Sequence, residues 1–203
     1  RRYRCSRQEA DGVSAHAPAF ALLHGGGQGS WVWDDLVPLL EAGGARVMAL
    51  DVPGCGTKRG RDTTSLGVED VAAELIADIA SACLEKLVLV GHSQAGTILP
   101  VLVERAPELF RGLVYLSCSA PLAGSSIIDQ MGRGMHGQNP DEVGWPLDPD
   151  IYGREVQYPL MFCNDMDEAQ KAAFMARPLD ENWPLAVTYA AHWRYEHLTD
   201  WPS

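Results

Sequence analysis

The 203-residue chain predicts an α/β fold, with a doubly wound, mostly parallel sheet and crossover helices. Two observations carry that prediction. Between residues 18 and 120, short runs rich in Val, Leu and Ala alternate with longer segments whose apolar residues recur every three or four positions. The short runs also show little polar alternation, as strands buried on both faces do.

Residues 1–17 open with Arg1-Arg2-Tyr3-Arg4-Cys5-Ser6-Arg7, which is basic but leads into no apolar stretch. It does not read as a signal peptide, and a tail or the remnant of an edge strand is expected there. Residues 18–120 form the core, with strands at about 19–24, 45–50, 86–91 and 112–118. A first helix places Trp33, Leu36, Leu39 and Leu40 on one face and stops at Gly43-Gly44. A second, over 67–83, carries the stripe Val68, Val71, Ala72, Leu75, Ile76 and Ile79, with Glu69 and Asp70 in its first turn to suit the helix dipole. A third runs from about 94 to 105, where Pro100 is expected to kink it.

From Pro121 the texture changes. Gly, Pro, Met and Trp become frequent, and 132–137 and 145–150 read as loops. Helices are expected at about 164–176 and 184–195. Residues 121–203 are thus read as a helical cap inserted after the strand at 112–118. Ligand pockets in open α/β sheets lie outside the strands' C-terminal ends. Met131, Met135, Trp145, Met161 and Phe162 are candidate pocket-lining residues for such a cap, ordinary cap core being the other reading of each.

Two motifs carry chemistry. Gly91-His92-Ser93-Gln94-Ala95-Gly96 directly follows the strand Lys86–Val90, giving strand, sharp turn, helix, with a serine at the apex. This is the relaxed form of the G-x-S-x-G nucleophile elbow, with Ala95 in the last position. Small residues flank the serine because strand and helix backbones come close there. The second motif, Phe20-Ala-Leu-Leu-His24-Gly25-Gly26-Gly27, is a strand running into a glycine loop. Acyl transfer develops an oxyanion, which needs two backbone N–H donors aimed at one point. Those donors would be Gln94, after the serine, and Gly26 in the HGGG-type loop. A helix N-terminus at the serine adds to the stabilisation of negative charge.

With these residues in view, the chain resembles the α/β-hydrolase superfamily, and within it the branch of plant methylesterases and hydroxynitrile lyases with their bacterial relatives. The run His24 to Gly56 and residues 86–121 carry the resemblance, which covers about Ala19 to Pro121. It implies a serine hydrolase cleaving a carboxylic ester of a small, fairly apolar substrate through an acyl-enzyme on Ser93. Hydroxynitrile lyases of this branch carry a threonine just after the loop histidine. Gly25 stands there in this chain, which argues for ester hydrolysis over cyanohydrin cleavage. Lactonase chemistry stays open, as does a non-catalytic small-molecule-binding protein on the same scaffold. The branch of haloalkane dehalogenases uses aspartate where this chain has Ser93.

A serine hydroxyl needs a hydrogen-bonded base, itself held by a third group. Of six histidines, His24 is expected to shape the glycine loop, His92 to point away from the pocket, and His16 to lie in the tail. His136, His192 and His197 fall in the cap region. His197 with Asp165 or Asp167 has the chain order Ser, acid, His, but sits where a cap helix is expected. In the family the base is a histidine near the C-terminus with its acid one strand earlier, so the resemblance implies a base and acid beyond Ser203. It further implies a C-terminal core segment that is absent or supplied by another segment, since a sheet without its last strands would expose a long edge. Asp51, after an early strand, is read as organising its loop.

The net charge of −11 and the 46% hydrophobic content point to a globular protein and away from nucleic acid or anionic membranes as partners. The longest apolar runs are strand-sized. Cysteines at 5, 55, 83, 118 and 163 show no metal-ligand spacing, so no metal and no organic cofactor are expected. Reduced, mostly buried thiols and a cytoplasmic location are expected, with Cys118 as core packing. The partner is a small-molecule substrate, and a homodimer is kept open.

Overall fold

The structure, a computed structural model, describes residues 17–131, 153–177, 182–190, 194–199 and 201. The described residues form two compact units. One holds the described residues up to Ile127 together with those from Asn182 onward; the other is drawn from Ile128–Asp180. The block 121–203, expected as one cap region, is divided between them. The expected tail lies outside the described residues, apart from Ala17.

The first unit contains a four-stranded parallel sheet: β1 (Ala19–Leu23), β2 (Arg46–Leu50), β3 (Leu87–His92) and β4 (Phe110–Leu116), in the order β2-β1-β3-β4. The chain first winds outward from β1 to β2, then crosses back to β3 and continues to β4. The reversal lies between β1 and β3, and in a doubly wound sheet the crevice outside the strand ends at that point is the ligand site. Leu23 pairs with Leu50 on one side and with Gly91 on the other. Three loops therefore leave the sheet level with one another: His24 onward, Asp51 onward, and His92-Ser93.

Helix α1 spans Leu36–Ala42, α2 Val68–Ser81 and α3 Ile98–Arg105. In α2 the expected stripe is inward: Val68, Val71, Ala72, Leu75 and Ile79 are buried. Asp70 caps its start, accepting the Gly67 N–H at 2.9 Å. Leu99 of α3 packs where a Cβ on Gly91 would stand, so α3 covers the sheet face of Leu87, Leu89 and Gly91. Those three residues are buried, while Val88, Val90 and His92 on the opposite face are only partly so. Burial on both faces, expected for every strand, therefore does not hold for β3, nor for β2, where only Leu50 is buried, nor for β4, where Val114 and Leu116 are exposed. The Trp33 turn meets that opposite face through His92, and α1 buries none of its residues.

Two helix expectations are corrected. Trp33 lies in a separate 3-10 turn, Ser30–Trp33, and Asp34-Asp35 breaks the phase before α1 begins. The single apolar face drawn through Trp33 and Leu39 does not exist: Trp33 is buried and Leu39 is 71% exposed. Pro100 does not interrupt its helix. The elbow is a 3-10 turn, Ser93–Thr97, and α3 starts only at Ile98. Pro100 thus falls in the first turn, where N–H groups have no α-helical acceptor.

Beyond Pro121 the described helices are α4 (Ile127–Met131), α5 (Arg154–Phe162), α6 (Glu168–Met175) and α7 (Leu185–Tyr189). Neither α4 nor α5 was expected, and the expected loops at 132–137 and 145–150 lie outside the described residues. In the second unit the Phe162 ring meets Tyr158 edge-on at 5.3 Å and Phe174 at 5.8 Å. Asp167 caps α6, accepting the Gln170 N–H at 2.8 Å, while the Gln170 side chain accepts the Asp167 N–H at 2.9 Å.

Cys55 and Cys163 are buried thiols and Cys118 is half-buried. Cys83 departs from the expected pattern of reduced thiols. It lies on the exposed turn after α2 and is disulfide-bonded. Among the described residues no helix is long and apolar enough to cross a membrane, and no cluster of His, Cys, Asp and Glu could hold a metal ion.

Candidate functional site

Ser93 is the residue at which β3 turns into the helix, and its φ of +54° places it in the left-handed region. An L-residue there is strained, and strain of this kind clusters at functional sites. The turn is tied down on each side of the serine. The Ser93 carbonyl accepts the Ser119 N–H at 2.9 Å, and the Thr97 hydroxyl donates to the Gln94 carbonyl at 2.9 Å.

The β1–β3 register brings the glycine loop against this turn. A Cβ built on Gly25 would lie 2.7 Å from Ser93 Cβ, and one on Gly26 would lie 2.7 Å from the Gln94 side-chain Nε2. Neither position tolerates a side chain without movement. The sequence motifs at 24–27 and 91–96 are therefore one structure, with Gly26 and Gln94 packed on each other. Gly27 completes the loop at a φ of +70°.

His24 is fully buried and holds the loop from inside. Its Nε2 accepts the Val52 N–H at 3.1 Å, which leaves the proton on Nδ1 to donate to the Gly25 carbonyl at 2.8 Å. The Trp183 ring packs against it edge-on at 5.8 Å. Burial drives its pKa down to about 4, outweighing the hydrogen bond to Gly25 and the Asp51 charge, which act upward. The ring is thus neutral and committed to the backbone on both nitrogens.

Asp51 organises the neighbouring loop. Its carboxylate accepts the Ser30 N–H at 2.6 Å, the Thr57 N–H at 2.9 Å and the Thr57 hydroxyl at 2.7 Å. Burial pushes its pKa up, but the hydrogen bonds from Thr57 and Ser30 prevail and hold it below the usual carboxylate range. Lys58 carries the same loop onto α2 through Asp78 at 2.5 Å and Glu74 at 2.9 Å.

The other candidates fall in different places. His92 packs its ring edge-on to Trp33 at 6.4 Å, and burial lowers its pKa. His197 lies in a 3-10 turn, Glu196–Leu198, and its Nε2 is 2.9 Å from the Pro100 carbonyl, to which it donates. Among the described residues no histidine ring is hydrogen-bonded to Ser93 Oγ. Asp167 is a helix cap, and Asp165 lies on a turn of the second unit. Met161 and Phe162 belong to α5 of the second unit, and Met131 ends α4. His16, Met135, His136, Trp145 and His192 lie outside the described residues. The Cys118 thiol donates to the Gly91 carbonyl at 2.9 Å, and burial raises its pKa to about 11, so it is no thiolate nucleophile at neutral pH.

The residues at the site without a sequence signature include Thr188. Thr188 of α7 donates its hydroxyl to Gln94 Oε1 at 2.7 Å, from 94 positions further along the chain. A lone threonine on a short helix carries no motif, and only the packing of α7 reveals it.

Comparison with known proteins agrees with this geometry. A probable esterase of Oryza sativa subsp. indica is 37% identical over 106 residues, 52% of this chain and 40% of its own length. Methylesterase 1 of Arabidopsis thaliana is 32% identical over 148 residues, 70% of this chain and 55% of its own length. The chain thus spans about half the length of the curated relatives it matches. The solved structure of polyneuridine aldehyde esterase superposes with a TM-score of 0.62 at 27% identity, covering 89% of this chain and 75% of that one. The sequence profile of the alpha/beta hydrolase family matches residues 20–203. With a strained serine at the switch point of a doubly wound sheet and a match of that extent, the chain belongs to the alpha/beta hydrolase family.

Proposed function

We propose that the protein cleaves a carboxylic ester of a small, fairly apolar substrate through an acyl-enzyme on Ser93. The observation that carries this reading is the Ser93 elbow at φ +54° with Gly25 and Gly26 packed directly against it. The esterase and methylesterase names of the relatives support it. Ser93 Oγ attacks the carbonyl carbon and passes its proton to a base. The backbone N–H groups of Gly26 and Gln94 hold the resulting oxyanion. Collapse expels the alcohol, which takes up the proton, and water then hydrolyses the acyl-enzyme by the same steps. His24 cannot serve as the base, because both ring nitrogens are engaged and burial keeps it neutral. We assign the base to a histidine outside the described residues. Residues 24 to 30 and the Asp51 loop act as the rigid support of the oxyanion donors.

The test is hydrolysis of a short-chain p-nitrophenyl ester series by the purified protein and by Ser93→Ala. Turnover that falls to the buffer rate in Ser93→Ala supports the reading; retention of most of it contradicts it.

A further inference from the structure

We propose that Thr188 is a positioning residue for the two backbone donors at Gly26 and Gln94, acting through the Gln94 carboxamide. The inference rests on the ester-cleavage reading above and adds a role to a residue that lies in neither motif.

Gly26 lies directly against the Gln94 side chain. An ideal Cβ there would lie 2.7 Å from Gln94 Nε2, 2.9 Å from Cδ and 3.3 Å from Oε1. The carboxamide of Gln94 therefore occupies the side-chain space of Gly26, and the two residues bearing the oxyanion donors touch. A glutamine side chain has three rotatable bonds and would not hold one pose unaided. Thr188 supplies the restraint, its hydroxyl donating to Gln94 Oε1 at 2.7 Å. Thr97, fully buried, fixes the other end of the same residue by donating to the Gln94 carbonyl at 2.9 Å.

Thr188 is itself well placed to act as an anchor. Val187 beside it is fully buried, which sets the pose of α7. The segment just before α7 is bound to the other two loops of the site. Trp183 packs on His24 at 5.8 Å, and the Asn182 backbone N–H donates to the Gly54 carbonyl at 2.9 Å. The Asn182 amide donates to the Arg61 carbonyl at 2.9 Å. Residues 182–188 thus brace the glycine loop, the Asp51 loop and the elbow together. An oxyanion develops only in the transition state, so a looser donor pair should lower kcat and leave KM nearly unchanged.

The experiment measures kcat and KM of the full chain on a p-nitrophenyl ester for wild type, Thr188→Val, Thr188→Ser and Gln94→Met, with far-UV circular dichroism and thermal melting of each. Thr188→Val keeps the shape and removes the hydroxyl. Its kcat should fall about tenfold with KM within about twofold, as expected for loss of a restraint on an oxyanion donor. Thr188→Ser should recover most of that loss. Gln94→Met removes the acceptor, so it should lower kcat to a similar extent, and the double variant with Thr188→Val should be no worse than either alone. Gln94→Met decides the matter should Thr188→Val not fold. A Thr188→Val kcat within twofold of wild type, or additive losses in the double variant, would overturn the proposal. Wild type without turnover or Ser93-dependent labelling overturns the ester-cleavage reading and the inference with it; that failure is told apart because it shows in the unmutated protein.

Discussion

Gly25 and Ser93 stand face to face, so close that a Cβ on Gly25 would lie 2.7 Å from Ser93 Cβ and 3.2 Å from the His92 ring. The approach follows from the register, because Leu23 pairs with Gly91 and each chain then runs two residues further. Gly25→Ala must push the glycine loop away from the elbow. We expect a destabilisation of about 1–3 kcal/mol and a loss of about 100-fold in kcat/KM, measured by chemical denaturation and ester hydrolysis. Unchanged activity in a folded Gly25→Ala protein would show that the loop and the elbow do not work as one site.

His24 makes stability depend on pH. Its folded-state pKa, driven down to about 4 by burial, lies below the unfolded value of 6.5. Between those values the unfolded chain binds more protons, so stability rises with pH through the window. The contribution is fully present above about pH 6.5, declines as pH falls toward 4 and is worth about 3 kcal/mol. His92, also lowered by burial, acts in the same direction. Melting temperatures from pH 7.5 down to 4 should fall, and His24→Asn should show a lower Tm at pH 7.5 with a flatter pH slope. An equal slope in His24→Asn would mean that the ring is not held neutral in the folded protein.

Asp51 ties the stretch after the glycine loop to the 51–57 turn through three hydrogen bonds to one buried carboxylate. Asp51→Ala leaves the Ser30 and Thr57 donors without that acceptor and should cost about 3 kcal/mol. Because its folded pKa is lowered, this stabilisation is present above the ordinary carboxylate range and is lost as pH falls below it. Urea denaturation at pH 7 checks the magnitude. Asp51→Ala should also reduce turnover, although the carboxylate touches no reacting atom.

Local patterns were legible in the sequence, and long-range ones were not. The four strand positions came from short apolar runs, and α2 from a stripe whose members are buried except Ile76, which is partly so. The elbow and the glycine loop are contiguous motifs, so their residues could be named. The first helix misled because apolar spacing does not show that Asp34-Asp35 resets the phase between Trp33 and Leu36. Pro100 misled because a 3-10 turn at the elbow delays the α-helix to Ile98. Thr188, Trp183 and Asn182 were invisible because they reach the site through tertiary packing alone, from a block whose composition suggested only a cap.

The central claim is that Ser93 is an activated nucleophile. Intact-mass spectrometry after treatment with a fluorophosphonate tests it directly. One phosphonyl adduct per chain is expected, mapped to Ser93 and lost in Ser93→Ala. An unmodified protein, or an adduct that persists in Ser93→Ala, would contradict it.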